Sequence, residues 1–88
     1  MRIWFKIWKD NHMIRDEVVE DDGDDTRTHK ILRALETACH DMDLAVPIWL
    51  DSAVRDFKRT SKVRFTQDAF IESIDFDSLE MHVIEEDP

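Results

Sequence analysis

The chain has 88 residues, 42% of them hydrophobic, and carries 21 acidic against 12 basic side chains for a net charge of −9. That length excludes two independently folding domains, while three Trp and five Phe supply enough buried area to exclude a disordered acidic polymer. A pI near 4.7 argues against general attraction to DNA or an anionic membrane, and the lone Cys39 excludes an intramolecular disulfide and a cysteine zinc cluster, which fits a reducing, cytoplasmic setting.

The first segment, MRIWFKIWKD, alternates Ile3, Phe5 and Ile7 with Arg2, Trp4, Lys6 and Trp8. This period of two predicts a strand with two usable faces. Its interrupting cations are not those of a signal peptide, and no apolar run approaches the roughly 20 residues that span a bilayer. Asp10 and Asn11 tolerate a tight turn, so Ile14 to Glu20 is expected to return as a second strand with Ile14 and Val18 on one face. A loop of two residues and a loop of three give opposite registers, and composition alone leaves both open.

Glu20 to Asp25, EDDGDD, holds the only Gly and breaks the strand with acids suited to the positive end of a following helix. A helix is predicted from about Thr26 to Met42, because Ile31, Leu32, Leu35, Ala38, Cys39 and Met42 form one apolar stripe. Arg27, Lys30, Arg33, Thr37 and Asp41 fall around the other side. Leu44 to Leu50, with Pro47 inside it, reads as an edge strand or a buried connection. Asp51 or Ser52 is then expected to cap a short helix with Val54 and Phe57 inward. Val63 and Phe65 alternate as in a strand, Gln67 to Ile74 reads as a helical turn or two after Thr66, and Leu79 to Glu85 as a final strand. The fold class expected is α+β: a small antiparallel sheet, made of the N-terminal hairpin plus one or two C-terminal strands, packed on one long amphipathic helix with one or two short helices in a single domain over residues 1–88.

Charge is segregated along this chain. Arg55, Lys58, Arg59, Lys62 and Arg64 lie within ten positions that contain one acid, Asp56, so the segment carries +4 and the remainder −13. If the helix continues through Lys62, the spacing i, i+3, i+4, i+7 makes these cations one outer stripe. Together with Trp4 and Trp8 they form a candidate site for RNA or a nucleotide, the indoles stacking bases and the cations meeting phosphates. The competing reading buries both indoles under the short helix around Val54 and Phe57.

The opposite surface is the other candidate site. Glu20, Asp21, Asp22, Asp24 and Asp25 can meet a basic protein, and spaced carboxylates can also imitate a phosphate backbone. Their spacing does not match a calcium loop, which needs alternate carboxylates, a Gly at the sixth position and a Glu at the twelfth. His29 and His40 are too far apart along a helix to share a metal, and Cys39 sits on the apolar stripe, where a buried thiol is favoured over a nucleophile. His12 and His82 fall in the turn and the last strand. With one Gly there is no phosphate-cradling loop, and no G-x-S-x-G or H-E-x-x-H sequence occurs. The expectation is therefore a non-enzymatic interaction module with no catalytic residue, metal or cofactor, binding a protein partner, with nucleic acid as the alternative, no membrane partner, and a monomeric or small homo-oligomeric state.

Overall fold

The computed structural model describes residues 1–88, with strands β1 (Arg2–Lys9), β2 (His12–Glu20), β3 (Lys62–Phe65) and β4 (Ser78–Glu85) and helices α1 (Arg27–Asp41) and α2 (Asp51–Thr60). The strands form one antiparallel sheet in the order β2-β1-β4-β3. The expected α+β class is observed. The expectation of one long helix with one or two short helices is met only in part, because the helical content lies in two helices of fifteen and ten residues, neither of them long.

The hairpin turn has two residues. Asp10 and Asn11 both adopt positive φ, 52° and 64°, the geometry a two-residue turn of type I′ needs to match the twist of its strands. Lys9 therefore faces His12, but the register shifts between Ile7 and Trp8, because Ile7 opposes Arg15 while Trp8 opposes Met13. Ile14 is the extra residue of a bulge. Beyond it Arg15, Glu17 and Val19 share the face of Ile7, Phe5 and Ile3, and Asp16 and Val18 share the face of Lys6 and Trp4.

Only one face of this sheet is covered. Ile3, Phe5 and Ile7 of β1, Val63 and Phe65 of β3, and Leu79, Met81 and Val83 of β4 are all buried in one core with Ile31, Ala34, Leu35, Ala38, Cys39 and Met42. Thr26 caps α1, its Oγ1 accepting from the His29 N–H at 3.2 Å. The apolar stripe is rotated slightly from the one expected: Ala34 lies inside it, whereas Leu32 is 41% exposed at its edge. Lys30, expected outside, is buried along its stem with its Nζ 2.8 Å from the Asp87 carboxylate.

Residues 43–50 make no strand. They are a connection in which Pro47 is buried and the Ile48 N–H donates to the Ala69 carbonyl at 2.7 Å. Helix α2 starts from Leu50 without a side-chain cap and stops at Ser61, which turns left-handed at φ 56°. Phe57 and Trp49 pack edge-on, and Trp49 meets Phe65 5.0 Å away, so α2 covers the same face as α1. It does not cover Trp4 and Trp8, because Phe65, which Trp49 joins to Phe57 of α2, stands on the face of Phe5 and away from them. The helical reading of Gln67 to Ile74 shrinks to a single 3-10 turn at Gln67–Ala69, followed by a loop anchored by Phe70 against Phe76 at 6.0 Å.

Leu35, 1% exposed, is central to the core. Leu35→Ala is expected to cost roughly 2 to 5 kcal/mol through lost transfer energy and a residual cavity. Chemical denaturation of the two proteins measures it, and an unchanged midpoint would place Leu35 outside the core.

Candidate interaction surfaces

The acidic loop is largely committed to its own molecule. Glu20 pairs with Arg2 at 3.1 Å, and Asp22 lies 3.4 Å from the Met1 amino group. Arg33 reaches back from α1 to Asp21 and, at 3.2 Å, to Asp25, while Asp25 also meets His29 Nδ1 at 2.9 Å and accepts from the Thr26 N–H. Of the five acids singled out in the sequence, Asp24 alone makes no ion pair or side-chain hydrogen bond. The Arg33 hydrogen bond holds the Asp21 carboxyl below its ordinary value, and the His29 contact does the same for Asp25.

The basic segment is split. Arg55, Lys58 and Arg59 are exposed on α2, with Arg59 3.5 Å from Asp56. Lys62 and Arg64 belong instead to β3, because the left-handed Ser61 ends the helix and turns the chain into the sheet. They lie on the face that carries no helix, beside His82 and Glu80. The expected continuous stripe through Lys62 therefore does not form.

On that open face the sheet seals itself. Glu80 is 3% exposed and accepts from Lys6 Nζ at 3.1 Å, Arg64 Nε at 3.1 Å and Trp8 Nε1 at 3.2 Å. Burial pushes the Glu80 carboxyl up, and hydrogen bonding and charge from Lys6, with the charge of Arg64, outweigh it, so the group is held below the ordinary glutamate value. Lys6 Nζ stands 3.8 Å from the Trp4 ring centre and the Arg64 guanidinium 5.2 Å from that of Trp8. Trp4 donates to Asp16 at 2.9 Å. Each half-buried indole thus has its N–H satisfied and a cation over its ring. Burial, followed by the charges of Lys62 and Lys6, depresses the neighbouring His82.

Two hollows lie elsewhere. One, about 230 Å³, runs between α1 and α2 over Leu32, Trp49 and Val54, with Arg27 and Lys58 beside it. The other, about 350 Å³, has Leu44, Phe70, Ile74 and Phe76 in its wall and the carboxylates of Asp43, Glu72 and Asp75 around it. None of these three acids has an ion-pair partner. The Gln67 amide shapes this second hollow: it donates to the Glu72 carbonyl and accepts from the Ile74 N–H, both at 2.9 Å. Sequence reading missed this cleft, since residue 43 follows α1 and residues 72–75 precede β4.

Reactive groups are not gathered. Cys39 is fully buried, its thiol pushed up to about 11 by burial, and no three His, Cys, Asp or Glu side chains are grouped to hold a metal. No helix is long and apolar enough to cross a membrane. No protein-family model matches the chain, and no curated protein or solved structure does.

Asp21 and Asp25, held below the ordinary aspartate value of about 3.9, contribute stability that is complete above that pH and is lost as pH falls through their lower native values. The double variant Asp21→Asn, Asp25→Asn is expected to lower the thermal midpoint at pH 7 and to flatten its fall between neutral and acid pH. Melting curves at the two pH values check this; parallel wild-type and variant curves would contradict it.

Proposed function

We propose that the protein is a non-enzymatic interaction module of the cytoplasm that holds a basic protein partner, with the cleft of Asp43, Glu72 and Asp75 as its point of capture. The observation that carries the reading is the pairing of free carboxylates with an apolar wall. A lysine or arginine side chain is long enough to lay its methylenes against Leu44, Ile74 and Phe76 while its charge meets the acids. The net charge of −9 attracts a basic partner to the molecule as a whole and repels polyanions. Asp21 and Asp25 of the loop then serve mainly to fix the start of α1, with Asp24 free to add to the field.

A second reading has its own support: Trp4, Trp8, Lys62 and Arg64 share a sheet face that no helix covers, which is where single-stranded RNA would stack. The engaged indole N–H groups and the Lys6 and Arg64 cations over the rings weigh against it.

Binding of a fluorescent lysine- and arginine-rich peptide separates the two. Asp43→Asn with Glu72→Gln and Asp75→Asn is expected to weaken binding about tenfold or more and to reduce its salt dependence. Replacing Arg55, Lys58, Arg59 and Lys62 with Ala is expected to leave peptide binding unchanged. Submicromolar RNA affinity that disappears when Lys62 and Arg64 are replaced with Ala would overturn the proposal in favour of RNA.

A further inference from the structure

Strand β2 is the long free edge of the sheet. It pairs with β1 alone, and no backbone hydrogen bond outside that ladder involves its nine residues. The opposite edge, β3, is only four residues long. Proteins ordinarily blunt a long edge with Lys, Pro or inward charges, and β2 uses the last of these, since Arg15 and Glu17 stand on the core side beside Ile7 and Phe5. Here HMIRDEVVE contains no Lys or Pro, has one bulge at Ile14, and leaves Ile14 56% and Val18 39% exposed.

The order of residues along this edge is complementary to its own reverse about Asp16. In an antiparallel pairing of two copies centred there, Ile14 opposes Val18 and Arg15 opposes Glu17, each twice by symmetry. The neighbouring two-fold registers, centred on Arg15 or on Glu17, oppose like charges at the dyad and set Ile14 or Val18 against Asp16, so the complementary register is distinct. The cost lies at the dyad, where Asp16 meets Asp16. Each of these carboxylates already accepts from Trp4 Nε1 at 2.9 Å and has Lys6 directly across the ladder, which lowers the repulsion.

The Glu17 side chain gives an independent indication. Burial, followed by a hydrogen-bond contact with Asp41, pushes its carboxyl up, and the charge of Arg15 opposes that shift, so a second guanidinium beside Glu17 would favour its ionised form. Arg15 of the same chain is turned to the last carbonyls of α1, donating to Asp41 O at 3.0 Å and Met42 O at 3.5 Å. Those contacts use two of the five guanidinium N–H groups, so donors remain for a carboxylate across the edge.

We infer that the protein self-associates through β2, two copies pairing residues 14–18 antiparallel about Asp16 to make one continuous eight-stranded sheet. The occupant of the edge is a second copy because the pattern of charge and apolar residues fits itself. The bulge at Ile14 ends the new ladder on both sides, so the interface is small and the dimer weak.

Sedimentation velocity from about 1 µM to about 1 mM tests it, with circular dichroism confirming that each variant is folded. Arg15→Glu and Glu17→Arg each place like charges opposite one another and are expected to weaken the dimer about tenfold or more, while an equimolar mixture of the two restores it as a heterodimer. Val18→Lys, at an exposed position that supports no core, is expected to weaken it to a similar degree and replaces either reversal if that variant does not fold. A wild-type protein that stays monomeric throughout the range overturns the inference. So does a dimer indifferent to these variants, which would assemble through another surface, or a mixture that fails to reassemble.

Discussion

Two short helices can cover only one face of a four-stranded sheet, and the rest of this structure follows from that constraint. The inner face is closed in the ordinary way, with Ile3, Phe5, Leu79 and Met81 against Leu35 and Ala38. On the outer face, closure falls to the side chains that stand on it. Lys6, Trp8 and Arg64 converge on Glu80, whose charge is taken nearly out of water and is tolerated there because two cations and an indole N–H satisfy it. Because the sheet orders this cluster strand by strand, Lys6 on β1, Glu80 on β4 and Arg64 on β3 also tie together parts of the chain more than seventy residues apart.

The same economy separates structural charge from charge available to a partner. Cations are scarce in a chain with 21 acids and 12 bases, and most of them are consumed locally: Arg33 by the acidic loop, Lys30 by Asp87, Arg27 by Glu86 at 2.7 Å, Lys6 and Arg64 by Glu80. The acids left without a cation are therefore the more informative ones. Three of them surround a partly apolar cleft, an arrangement suited to a basic side chain, whereas the conspicuous EDDGDD run is mostly bound up in ion pairs with Arg2, the amino terminus and Arg33.

Much of the fold was legible from local pattern. The alternation of MRIWFKIWKD, the turn chemistry of Asp10 and Asn11, and the stripe from Ile31 to Met42 each specify an element by themselves, since periodicity and turn propensity are properties of neighbouring residues. Features set by more than neighbours were not legible. The bulge at Ile14 depends on the partner strand, and the end of α2 depends on Ser61 adopting a left-handed conformation that its residue type does not announce. The facing of Trp4 and Trp8 could be read as shared, but which side α2 covers was decided by Trp49, which meets both Phe57 of α2 and Phe65 of β3. The Asp43 cleft and the Glu80 cluster draw on residues distant in sequence, and the one available signal was an acid placed between the apolar Leu79 and Met81.

The open face is held together by a buried carboxylate, Glu80, kept ionised by Lys6 and Arg64. The pH titration of the Glu80 side-chain carboxyl followed by NMR tests it most directly. The account requires a Glu80 pKa below the ordinary glutamate value of about 4.3, with the Trp8 indole N–H and Arg64 resonances shifting in the same step. A Glu80 that titrates at or above that value, or without moving Trp8 and Arg64, would contradict it.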